Sequence, residues 1–310
     1  MYNLNVPMLA YLLAIAATFL YGVTNFIDKF LIEKKVRDGE FLAMISGVVS
    51  FVFGIGVLSL NRWPTVGLAP TVILLTSGVL FQLALLPWYK AIDLDDPSRV
   101  AALFQAIPIF TFIFAYFLLG EQLSWHQAAG FVLIIAGGFI LSLRKFSGDI
   151  FKIRKSTKYM LLAVILNAIP PVLFKAVTPE SDFWIMSGYE FIGMGIGSAL
   201  TYFYVVQRRP HLRHLLRSLE NVRREALAFI TVNEAVYFSA NILFFAAVTM
   251  APVSLISAMG GFQPFFMIAM GLILARWFPK MVKEDISRKT LKTKIGAALL
   301  IFLGVWIINI

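Results

Sequence analysis

Ten apolar stretches, each long enough to cross a bilayer, occupy almost the whole chain, at about 8–32, 41–60, 69–91, 98–119, 124–143, 157–177, 183–206, 226–250, 251–275 and 293–310. A hydrocarbon core of roughly 30 Å takes about 20 apolar residues in a helix rising ~1.5 Å per residue. Water is absent there, so only helices or closed barrels can span it. Barrel strands are ~10 residues long and alternate in polarity, which these stretches do not. The sequence therefore predicts an all-α polytopic membrane protein with ten transmembrane helices.

Composition agrees. The 310 residues are 59% hydrophobic and 14% charged, with 29 Phe and a mean hydropathy of +0.82. A soluble helical protein would carry amphipathic stripes, and most of these segments have no charged face. There is no cysteine, which removes disulfides, thiolate metal sites and a cysteine nucleophile. The tail "MYNLNVPM" has no positive n-region, so the first stretch reads as a retained helix.

The net charge of +10 sorts by position. All of the 27 Lys and Arg except Arg62 and Lys175 lie in or beside the odd-numbered seams, such as Lys34–Arg37, Arg144–Lys158 and Arg208–Arg224. Such alternation predicts cytoplasmic odd seams, outward-facing termini and a plasma-membrane location. Basic seams also suit anionic lipid headgroups. They speak for a bilayer partner and against nucleic acid.

The second half of the chain repeats the first. "YKAIDLDDPSRVAALFQAIPIF" (89–110) lies over "FAAVTMAPVSLISAMGGFQPFF" (245–266) without gaps, pairing Ala91 with Ala247, Ser98 with Ser254 and Pro108 with Pro264. "QAAGFVLIIAGGFIL" (127–141) lies over 293–308, and Lys29 pairs with Lys175. Residues 1–145 and 146–310 are the expected repeats. Each has five helices, so the second enters the membrane from the opposite side and an inverted pseudo-twofold follows. Secondary transporters use this arrangement, with the solute site near the midplane between repeats.

Tyr89, Ala91, Ser98 and Pro108, followed by "LLGEQLSWHQAAGFVLIIAGGFIL" with Gly120, Glu121, Gln127, Gly130 and Gly137, resemble the EamA-type half of the drug/metabolite transporter superfamily. The likeness extends over both halves and is weaker in the second, where no "GE" follows the ninth helix. It implies a ten-helix carrier of small metabolites such as amino acids, sugars or cationic compounds, coupled to protons or to exchange. Relatives are usually drawn with both termini in the cytoplasm; the charge pattern here predicts the opposite.

Ionisable groups inside a bilayer cost roughly 2.5–3.5 kcal/mol and mark function by default. Glu234 lies about nine residues into the eighth helix and shares a face with Tyr237 and Asn241, at i, i+3 and i+7. It is the expected binding or proton-coupling group. Thr18, Tyr21, Asn25 and Asp28 wind along one face of the first helix. Tyr21 and Asn25 are the deeper cavity candidates, whereas Asp28 and Lys29 read as interfacial ends. Gln82, Tyr89, Gln105, Asn167 and Gln263 complete the expected site, Asn167 beside Pro170–Pro171 and the two glutamines Gln105 and Gln263 beside Pro108 and Pro264. Glu190, followed by Gly193, Gly195 and Gly197, reads as a packing element. Glu121 reads as a cap or turn residue.

There is no GxxxxGK[ST] motif for an ATP motor, and the three histidines lie in seams without metal-ligand spacing. No acid or histidine cluster suits an intramembrane enzyme, so no enzymatic activity and no cofactor or metal are expected. The expected function is secondary transport of a small polar or amphipathic metabolite by alternating access, for which a monomer suffices. A lipid flippase or a channel is the alternative.

Overall fold

The computed structural model describes residues 5–34, 39–64, 66–95, 97–143, 153–180, 182–208, 224–277 and 288–310. Every apolar stretch is helical. The chain forms α1 (Asn5–Lys34), α2 (Gly39–Leu60), α3 (Leu68–Leu83), α4 (Leu85–Leu94), α5 (Pro97–Phe104), α6 (Ile107–Leu119) and α7 (Trp125–Ser142). It continues with α8 (Lys155–Ala176), α9 (Phe183–Arg208), α10 (Arg224–Met250), α11 (Val253–Ala258), α12 (Gln263–Trp277) and α13 (Arg288–Ile308).

Among the described residues, eight helical segments are long and apolar enough to cross a membrane. The sequence predicts ten. The two not among the eight are α9 and α13, helices of 26 and 21 residues. α9 carries the acid Glu190 amid glycines, and α13 opens on the basic run "RKTLKTK". Glu190 and the glycines around it dilute the apolar content of α9.

Three stretches are interrupted. α3 hands over to α4 through a turn at Ala84, three residues before Pro87, whose ring removes a helical donor. α5 ends at Phe104, and Gln105–Ala106 form a turn ahead of Pro108 in the first turn of α6. α11 passes through a 3-10 turn over Met259–Phe262 into α12, where Pro264 takes the second position. α8, by contrast, runs unbroken through Pro170 and Pro171.

Glycine permits the closest helix approaches. α7 and α13 cross where a Cβ on Gly130 would sit 2.5 Å from the Gly304 carbonyl oxygen, and one on Gly304 would sit 2.7 Å from that of Gly130. α2 and α9 pack the same way, Gly54 against the Gly188 carbonyl and Gly47 against Ser198. Both pairs are antiparallel, since rising numbers in one helix meet falling numbers in the other. α1 lies antiparallel against α10, from Phe30–Phe229 at one end to Tyr21–Asn241 further in. α8 packs against α3 and α4: Ser77 meets Pro170, and Ala91 shares an apolar cluster with Met160 and Val164. The main apolar core, including Leu74, Val172, Phe174, Phe191, Phe245 and Ile256, joins both halves of the chain.

Candidate functional site

The α1–α10 seam carries a connected group of polar residues at membrane depth. Tyr21 Oη donates to Asn241 Oδ1 at 3.1 Å, and Asn241 Nδ2 donates to the Tyr237 carbonyl at 2.9 Å. One fully buried amide therefore ties the first helix to the helical face predicted around Glu234. The rings of Tyr21 and Tyr237 lie 6.0 Å apart, and Phe244 stands 6.5 Å from Tyr21. Aromatic faces thus wall this part of the seam.

Glu234 is 6% exposed and accepts a hydrogen bond from Ser46 of α2. Asp28, one helical turn beyond Asn25, accepts from Asn233 Nδ2 at 2.8 Å. That bond turns Asp28 toward α10, away from the interfacial role expected for it. Asp28 and Glu234 lie within electrostatic reach of each other, and Tyr89 and Tyr237 within reach of both. The outcome is a four-helix constellation from α1, α2, α4 and α10. It contains two carboxyls, three phenols and two amides, and among the described residues none of the contacts made by Asp28 or Glu234 is to a base.

Of the predicted site residues, Glu234, Tyr237, Asn241, Tyr21 and Tyr89 are gathered here. Asn25 lies half-buried on the same stripe of α1. Gln82 sits elsewhere: its Nε2 donates to the Ala43 carbonyl at 2.6 Å, and its methylenes fill the space over Gly197. It ties α3 to α2 and α9. Gln105 is buried against Gly138 of α7. Asn167 bonds its own helix, Nδ2 to the Ala163 carbonyl at 3.0 Å, and stays half-buried. Gln263 is half-buried at the start of α12.

Three residues of the constellation were not singled out from the sequence: Ser46, Asn233 and Asp28 as an inward group. For Asp28 the signal was present, because it continues the Tyr21–Asn25 stripe. Ser46 and Asn233 become visible only through their tertiary partners. Glu190 is fully buried and paired with Ser77 at 2.9 Å, and Ser77 also lies 3.0 Å from the Pro170 carbonyl oxygen. This small network pins α9 to α3 and α8 where α3 and α9 touch through Gly78 and Gly193.

Two further polar clusters lie at the helix ends. Gly120, at φ 66°, closes α6 with a left-handed cap whose N–H meets the Ala115 carbonyl. This turn delivers Glu121 to the start of α11, where its carboxyl accepts from the backbone N–H of Val253 at 2.7 Å and of Ser254 at 3.1 Å. Nearby, Lys175 Nζ donates to the carbonyls of Val248, Thr249 and Ala251 at 2.7, 3.1 and 3.2 Å. An acid at the N-terminus of one helix and a cation at the C-terminus of the preceding one both complement the helix dipoles. Burial outweighs the two backbone donors and the Lys175 charge, and holds the Glu121 carboxyl above the ordinary carboxylate range.

The second cluster centres on Asp95, just past α4. It accepts from Arg99 at 3.1 Å, Arg154 at 2.9 Å and Ser156 at 2.5 Å, and its side chain is almost entirely buried. Thr157 receives the other arm of Arg99 at 3.4 Å and caps Arg154 at 3.1 Å.

Residues 8–143 match the EamA-like transporter family. A solved crystal structure superposes with a TM-score of 0.69 at 17% identity, over 96% of this chain and 94% of that one, so the fold is shared. No curated protein matches the sequence significantly.

Proposed function

From the premise that the first half is an EamA-like transporter sequence, we propose that the chain is a secondary carrier of a small polar or amphipathic metabolite. It works by alternating access between two inverted five-helix halves, 1–145 and 146–310. The carrying observation is the Asp28–Glu234 constellation, built by helices of both halves at membrane depth from acids and aromatic rings. Protons, or a cargo bearing an amine, would balance the two carboxyls, and tyrosine faces add cation–π attraction for the latter. Coupling to protons or exchange of one cationic solute for another follows from the same site.

The packing supports an inverted repeat. Exchanging the halves turns the α1–α10 pair into the α8–α3 pair, and maps the α2–α9 and α7–α13 pairs onto themselves. Under this reading α9 and α13 complete the ten spans, the basic odd-numbered seams face the cytoplasm of a plasma membrane, and both termini face outward. An open groove of about 350 Å³ between α1 and α10, lined by Leu20, Val232, Ala235, Val236 and Ser239, lies on the exposed face of α10, turned away from Glu234. A lipid-like substrate, taken up from the bilayer side at this apolar groove, is the second reading.

The test is uptake and counterflow in proteoliposomes. Counterflow is expected, since only a carrier exchanges solute across a closed pathway. Glu234→Gln should remove the pH dependence of transport while the protein stays folded. Flux without counterflow would replace the carrier with a channel, and an unaltered pH profile in Glu234→Gln would take that residue out of the coupling.

A further inference from the structure

The clusters around Glu121 and Asp95 have three features in common. Each ties one half of the chain to the other: Glu121 reaches 132 residues along the chain to Val253, and Asp95 reaches 59 to Arg154 and 61 to Ser156. Each sits at a break between consecutive helices, α10–α11 for Glu121 and α4–α5 for Asp95. These breaks are equivalent in the repeat, because the alignment that pairs Ser98 with Ser254 also pairs Asp95 with Ala251.

They also lie at opposite faces. Ser156 is in the first turn of α8 and touches Asp95, while Lys175 is in its last turn and lies within electrostatic reach of Glu121. Nineteen residues of helix at ~1.5 Å each put them roughly 29 Å apart, the thickness of a hydrocarbon core. Neither cluster belongs to the Asp28–Glu234 site. Both replace what a helix break lacks: Glu121 satisfies N–H groups at the start of α11, Lys175 satisfies carbonyls at the end of α10, and Asp95 collects the guanidinium and hydroxyl groups that hold the end of α4 to the start of α8.

We propose that Glu121 and Asp95 are reciprocal latches, one at each end of the pathway, and that releasing either opens that end alone. The inference rests on the carrier reading above, to which it adds the residues that close the two faces. When both sets of contacts are made, the halves are joined at both faces and the site between them is occluded. Losing the Glu121 contacts frees the α10–α11 corner from the α6–α7 turn; losing the Asp95 contacts frees the α4–α5 corner from α8.

Because the chain has no cysteine, a single reporter can be read without background. Asn167→Cys places a thiol in the middle of α8, and an impermeant maleimide is applied to either face of sealed vesicles. In the latched protein, labelling should be slow from both faces. Glu121→Ala should speed it about tenfold or more from the Glu121 face, the scale of losing the acceptor for buried backbone N–H groups, with no gain from the other. Arg154→Gln combined with Ser156→Ala should do the converse. This pair is preferred to Asp95→Asn, which would strand buried Arg99, and Lys175→Met serves as a second variant for the Glu121 face.

Unchanged labelling, or equal acceleration at both faces, in protein that remains monodisperse overturns the proposal. The readout needs no cargo, so it separates from failure of the transport reading. A Glu234→Gln protein without transport should still show the one-sided response.

Discussion

Adding one methyl group at Gly78 tests whether the α3–α9 contact is as tight as the structure shows. A Cβ there would lie 2.0 Å from the Glu190 carbonyl oxygen and 2.6 Å from the Met194 nitrogen. Both are backbone atoms of a helix that cannot swing aside like a side-chain tip. Ordinary contact begins at 3.4 Å, so α3 and α9 must part by about 1.4 Å, the difference between 3.4 and 2.0. Overpacking of this kind costs about 1–3 kcal/mol. Here the upper end or beyond is expected, because separation also stretches the 2.9 Å contact of Ser77 with Glu190 and the glycine fit of Gly193 against the Leu75 carbonyl. The assay is thermal unfolding of purified protein in detergent, followed by tryptophan fluorescence. Gly56→Ala and Gly296→Ala are the controls, since a Cβ at either position meets nothing within 4 Å. Gly78→Ala should melt several degrees below wild type, and the controls should melt with wild type. If Gly78→Ala melted with its controls, the close crossing of α3 and α9 would be refuted.

Two further outcomes follow from the polar clusters. Tyr21→Phe strands the buried Asn241 Oδ1 and should cost about 1–2 kcal/mol of stability, part of which Tyr21→Phe with Asn241→Leu should restore by removing both partners; a single variant as stable as wild type would count against the bond. For Glu121, the latched state binds its proton more tightly than a hydrated carboxyl does, so opening that end releases a proton. Facing it are Lys175 on α8, Tyr11 on α1 and the α11 backbone. Maleimide labelling from the Glu121 face, divided by the rate for Glu121→Gln at the same pH so that thiolate formation cancels, should therefore quicken as pH rises above the ordinary carboxylate range. Labelling that quickens as pH falls would reverse the assignment.

Much of this molecule is legible in its sequence because the bilayer allows so few answers. Each apolar stretch became helical, and Pro108 and Pro264 marked two of the interrupted ones, whereas α8 runs unbroken through Pro170 and Pro171. The stripe of Glu234, Tyr237 and Asn241 could be read from spacing alone, since helical periodicity is local. Asp28 could not be placed that way. It sits near a helix end, and only Asn233 on a helix 205 residues away turns it inward. Gln82 and Gln105 show the converse: polar groups at plausible depth that a neighbouring carbonyl or glycine absorbs into packing. Glu121 carried a visible motif, yet the N–H groups it serves lie in the opposite half, beyond any local pattern.

The glycine crossings have a mechanical consequence. With backbone laid on backbone along α2–α9 and α7–α13, the two halves are stitched at two seams where a single methyl group would not fit. Neither seam can slide by a fraction of a turn without driving a side chain into a carbonyl. Whatever rearrangement the remaining helices undergo must take place inside that fixed frame, as tilting of the inner staves between two riveted edges.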